Sequence, residues 1–162
     1  MKIVINAPVI NDSEWLRFDR KALRHDTNSL LVELADLQRY PRYFRRSNLK
    51  LGIDLGPETD VSRLVDWLAH LDLIQLNFVS FADGRPFTQA RLLRERYGYR
   101  GDIRANGEVL RDQLAFMRRC GINQFNLAEG EDMEAALAAF DDISDAYQPE
   151  VDQAAPVAPS AL

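Results

Sequence analysis

LKLGIDLGPETDVSRLVDWLAHLDLIQLNFVSF, residues 49–81, reads as strand, helix, strand. Leu49–Leu55 is apolar and short, and Gly56-Pro57 breaks it. Asp60 then stands where a helix N-cap is wanted. At helical spacing, Val61, Leu64, Val65 and Leu68 fall on one inward face. Leu73–Phe81 follows as a second strand, rich in β-branched and aromatic residues.

The same rhythm continues toward the C-terminus. Asp83-Gly84 turns the chain, and Thr88 or Gln89 opens a helix with Leu92, Leu93 and Tyr97. Gly98 and Gly101 mark its end. Asp102–Ala105 is a third strand, then comes a helix facing inward through Leu110, Leu114 and Met117. Gly121 stops that helix, Asn123–Leu127 is a fourth strand, and Met133, Ala136, Leu137 and Phe140 line a last helix. Strands alternating with helices every 20–25 residues or so predict βαβ units and a mainly parallel α/β sheet with right-handed crossovers. A partial barrel and an open twisted sheet both fit this pattern.

Upstream the pattern is less regular. Lys2–Ile5 and Glu14–Phe18 read as short strands about a turn at Asn11, Asp12 and Ser13. Ser29–Tyr40 fits a helix through Leu30, Leu34 and Leu37, and its first half also fits a strand. Pro41 ends whatever precedes it. One domain over residues 1–147 is expected, followed by a disordered Pro/Ala-rich tail at 148–162.

Composition narrows the function classes. The 162 residues carry a net charge of -5, with 46% hydrophobic and 28% charged residues, as in ordinary globular domains. The acidic balance argues against nucleic acid as a partner. No apolar run is long enough for a membrane span and the N-terminus lacks a signal-peptide pattern, so the cytoplasm is expected. A single cysteine, Cys120, permits no intrachain disulfide and holds no iron–sulfur cluster. With two histidines, widely spaced, no metal site is expected. No dinucleotide or phosphate-loop fingerprint is present, so no cofactor is expected.

The candidate chemistry lies at the strand ends, where parallel sheets usually bind ligands. Asp54, Asp83, Arg85, Arg104, Asn106, Asn126 and Glu129 should share one rim. Arg85 and Arg104, with Asn106, make a candidate anion site, since arginine offers a planar fork to phosphate, sulfate or carboxylate. Asp83 is the candidate acid or base. The alternative is a structural ion pair between Asp83 and one of these arginines. Arg91, Arg94, Arg111 and Arg118 lie on helices, either solvated and paired locally or presented to an acidic protein partner. Cys120, before Gly121, fits a small buried core residue. The oligomeric state is open.

Four segments carry a family resemblance: DGR (83–85), ARLLRERYGYRGDIRA (90–105), GEVLRDQLAFMRRCG (107–121) and YQ (147–148). They resemble the uncharacterised proteobacterial family labelled domain of unknown function 934. The looser match of LGIDL and its following helix extends the likeness to about residue 51. The resemblance implies a place beside the haemoprotein of assimilatory sulfite reductase, with which members are typically encoded. An accessory protein of sulfite reduction, docking on that haemoprotein or supporting electron delivery, is therefore one expectation. A small enzyme binding an anionic metabolite at the rim is the other. The family brings no catalytic residues. Val79, Ser80 and Ala82 stand here where it usually has a Pro-Lys pair and a Thr, and Pro86, Phe87 and Thr88 where it has Gly-Tyr-Ser.

Overall fold

A computed structural model of the chain describes residues 2–4, 15–19 and 28–141. Strands β1 (Lys2–Val4) and β2 (Leu16–Arg17) come first. Next is β3 (Ser29–Glu33), which hands directly to helix α1 (Leu34–Arg39). Both readings of this segment therefore hold, one for each half. The switch is made by a reciprocal capping box, in which the Glu33 and Asp36 side chains accept from each other's backbone N–H groups. Pro41 ends this helix and occupies the first turn of α2 (Pro41–Arg46), where its missing N–H costs nothing.

Strand β4 (Lys50–Leu55) leads to a 3₁₀ helix (Val61–His70) and then to β5 (Leu73–Phe78). The Asp60 carboxylate caps the 3₁₀ helix, accepting from Ser62 N at 2.9 Å, and this bond holds its pKa below the ordinary value. Three residues per turn put Val61, Leu64 and Trp67 in one buried row. Val65, expected inside from α-helical spacing, is 49% exposed.

Helix α3 (Arg85–Arg91) begins earlier than Thr88, since Asp83 Oδ1 accepts from Arg85 N and Pro86 fits the first turn. It runs into a π-helical turn (Leu92–Arg96), closed by Tyr97 N donating to Leu92 O. β6 (Asp102–Gly107), a short 3₁₀ turn (Arg111–Gln113), α4 (Leu114–Arg119), β7 (Gln124–Asn126) and α5 (Met133–Asp141) complete the described chain. The tail expected from residue 148, with its boundary at 147, lies outside the described residues, as does the turn at Asn11–Ser13.

The strands form one sheet in the order β1-β7-β6-β5-β4-β3-β2. From β2 to β7 every neighbouring pair is parallel, while β1 lies antiparallel on β7. Each connection steps the same way, so right-handed crossovers place the helices on a single face. The order runs one way across the sheet from β2 to β7. A doubly wound sheet would reverse direction partway.

The helix face is apolar. Ile53, Leu55, Ile74, Leu76, Phe78, Ile103, Ala105 and Phe125 pack there with Leu37, Leu64, Leu93, Leu114 and Met117. Burying one such leucine fully contributes about 1.5–3 kcal/mol. The opposite face, at the alternate positions of each strand, carries polar side chains, among them Asp54, Gln75, Asn77, Arg104 and Asn106.

Candidate functional site

Parallel register sets the opposite face in rows. Asp54 pairs with Gln75, Gln75 with Arg104, and Arg104 with Gln124. One row nearer the carboxyl ends, Asn77 pairs with Asn106, and Asn126 joins them through its side chain.

The outer row is a ladder of amides. Asn126 Nδ2 donates to Asn106 Oδ1 at 3.1 Å, and Asn106 Nδ2 donates to Asn77 Oδ1 at 2.8 Å. Asn77 Nδ2 donates to Asp54 Oδ1 and to the Leu55 carbonyl. An ionised carboxylate only accepts. Asp54 therefore fixes the direction of the ladder, turning the Asn77 and Asn106 amides so that each oxygen faces β7 and each nitrogen faces β4. Arg17 Nη2 closes the far side of Asp54 at 2.7 Å.

The inner row centres on Arg104, which is 1% exposed. Its Nε donates to Gln124 Oε1 and its Nη1 to Gln75 Oε1, both at 3.3 Å. Each glutamine turns its amide nitrogen outward to a carboxylate, Gln75 to Asp54 and Gln124 to Asp102. The guanidinium is thus flanked by two neutral oxygens, with an aspartate beyond each. Burial pushes its pKa down to about 10, opposed by Asp102 and Asp54. Arg104 Nη2 is buried and has no hydrogen-bond partner among the described residues.

A cavity of about 510 Å³ opens at the carboxyl ends of β3, β4 and β5. Asp54 and Asn77 reach it from the ladder, and Glu33, Gln38, Glu58 and Arg63 stand around it. Strand ends followed by the Gly56–Thr59 loop build this mouth. Gln89 holds that loop, donating from Nε2 to the carbonyls of Gly56, Pro57 and Thr59.

The expected rim is assembled in part. Asp54, Arg104, Asn106 and Asn126 share one connected network. Asp83 and Arg85 stand outside it and take each other instead. Arg85 Nη2 and Nε lie 2.7 and 2.9 Å from Asp83 oxygens, the local ion pair that was the alternative reading. This pairing lowers the Asp83 pKa, chiefly through the Arg85 side chain. Among the described residues no hydrogen bond or ion pair joins Arg85 to Arg104. Glu129 is exposed on the turn after β7.

The helix arginines divide as well. Arg91 is exposed and pairs with Glu95 four residues on. Arg111 is exposed and Arg118 is half-buried. Arg94 corrects the expectation of a partner-facing residue. It is 4% exposed and donates to the carbonyls of Gly121, Tyr99 and Gly101 at 2.9, 2.8 and 2.7 Å. Gly121 has φ +93, and a Cβ there would strike the Arg94 side chain. Cys120 is buried, and burial raises its thiol pKa. Among the described residues no group of three potential metal ligands is found, and no helix is long and apolar enough to cross a membrane.

Gln75, Asn77 and Gln124 were not anticipated. Their signal is the polar residue at every second place in LIQLNF and NQFNL. The model of the family described as bacterial protein of unknown function (DUF934) matches residues 52–158. The chain belongs to this family. The match begins inside β4, so in this DUF934 member it takes in Asp54 and both rows from β4 to β7, while Arg17 and Glu33 lie outside it. No curated protein matches the chain.

Proposed function

We propose that this DUF934 member binds a small polar metabolite at the carboxyl ends of its strands, in the cavity over Asp54 and Asn77. The observation that carries this reading is the directed amide ladder. Three asparagines on three adjacent strands are oriented by one carboxylate beside an open cavity. Stability alone would be served at lower cost by apolar side chains on such a face. The carboxylates of Glu33, Asp54 and Glu58, set against Arg63, favour a ligand bearing hydroxyl or amine donors over a simple anion. The anionic metabolite expected from Arg85 and Arg104 has less support, because Arg85 is occupied by Asp83.

The test is a titration of ¹⁵N-labelled protein with amine, polyol and carboxylate metabolites. The side-chain NH₂ signals of Asn77, Asn106 and Asn126 should move together with one class, and Asn77→Ala should abolish the response. If no class moves these signals, or if Asn77→Ala binds normally, the reading fails.

A second reading is an accessory role in assimilatory sulfite reduction through docking on the haemoprotein. It rests on the resemblance described above and on one observation. Val79, Phe81 and Phe116 are large apolar side chains left exposed near the end of β5 and on α4. Phe81→Ser with Phe116→Ser should then weaken co-purification with the haemoprotein at low salt. No association of the native chain, with normal growth on sulfate after deletion, would discard this role.

A further inference from the structure

Arg104 Nη2 is a charged donor held dry, while both other nitrogens of the guanidinium are bonded to neutral amide oxygens. A buried donor without an acceptor is costly and calls for an explanation. Formal charges across the two rows balance without help. Arg104 and Arg17 carry two positive charges, and Asp54 and Asp102 carry two negative ones. An anion on Nη2 would bring a third negative charge between the two aspartates, in a region where charges are poorly screened. A neutral oxygen adds no charge and completes a shell that Gln75 and Gln124 have begun with oxygens of the same kind.

We propose that Arg104 Nη2 is the specificity donor for the ligand of this face, and that it receives a neutral carbonyl or amide oxygen. This rests on the ligand-binding reading above and names the group recognised. It reverses the sequence expectation that Arg104 serves an anion. Gln75 and Gln124 are positioning residues: each holds one guanidinium nitrogen and is itself tethered to an aspartate. Their tethers leave Nη2 as the nitrogen free to meet a ligand. The asparagine row lies beside it in register, one step toward the carboxyl ends, and Asn77 of that row lines the cavity.

The test compares two isosteric probes on the full chain, acetamide and acetate. Arginine side-chain ¹⁵N–¹H signals report on Arg104, and asparagine NH₂ signals report on the rim. Acetamide should shift the Arg104 signals saturably while acetate does so about tenfold more weakly. Arg104→Lys keeps the charge and removes Nη2, and should reduce acetamide binding by about tenfold. Should that variant fail to fold, the two-probe comparison on the native chain still decides. Rim signals that move while Arg104 stays still would overturn this inference and leave the binding reading intact. Acetate binding as well as acetamide would overturn it also. Silence at both sets of signals with both probes would overturn this inference, and the amine and polyol titrations then decide the binding reading.

Discussion

Replacing Arg94 with methionine removes a planar charged donor from a buried cage while keeping much of its volume. Three carbonyls lose their partner: those of Tyr99 and Gly121, whose bonds are buried, and that of Gly101, whose bond is part-buried. A buried acceptor left unmet costs about 1–3 kcal/mol. Taking two in the middle of that range and the third near its lower end gives a loss of about 5 kcal/mol. For a domain of this size that corresponds to a fall in Tm of about 10–20 °C, and it is a large share of a typical stability of about 5–15 kcal/mol. Arg94→Lys should recover part of the loss, since one ammonium can meet some of the carbonyls. The assay is guanidinium denaturation followed by fluorescence and by circular dichroism, with the m-value required to stay constant. A loss under about 1 kcal/mol for Arg94→Met would refute the cage as a stabilising element.

Asp54→Asn should destabilise the fold by about 2–3 kcal/mol, because the new amide meets the Gln75 and Asn77 nitrogens with less acceptor capacity. The same change should shift the Asn77, Asn106 and Asn126 side-chain signals as a set, whereas a purely local effect would move Asn77 alone. Gly107→Ala should cost about 2–4 kcal/mol in a denaturant melt, since φ is +97 there and a Cβ would collide with the Phe78 carbonyl oxygen. An unchanged midpoint would contradict that backbone path. Burial raises the Cys120 thiol above its ordinary value of 9.0, so the folded state keeps a proton that the unfolded state sheds. That contribution is full below about pH 9 and is lost as pH rises further. Cys120→Ala should therefore flatten the fall in stability above about pH 9, and the native thiol should resist maleimide until denaturant is added.

Periodicity made the parallel α/β plan legible from Leu49 onward, and it also explains the misplacements. Val65 was placed inside by a period of 3.6, but the helix is wound with three residues per turn, which brings Trp67 inward instead. Arg94 was read by its charge. Its spacing, among Ala90, Leu93 and Tyr97, already put it on the inward face. For the site, the strand-end rule found Asp54, Arg104, Asn106 and Asn126. It passed over Gln75, Asn77 and Gln124 because neutral amides carry no charge to draw notice. Burial of the face that bears Arg104 was not readable either. Alternation in DIRAN distinguishes two faces, and a polar face ordinarily meets water. Asp83 and Arg85, two residues apart on one turn, were near enough to satisfy each other, and local pairing won over a longer reach to Arg104.

The antiparallel seat of β1 on β7 joins positions such as Lys2 and Asn126, about 120 residues apart, and such long loops close slowly. On the ribosome the first strand is made early and finds its partner only after β7 has emerged. The parallel ladder from β3 to β6 can assemble in order as it is synthesised, each strand laid against the one before. The β6 edge stays open until β7 is made. Chains halted before Gln124 should therefore hold a growing sheet whose leading edge is bare. In cells such truncated products are expected to recruit chaperones through that edge, with the first strand still unplaced.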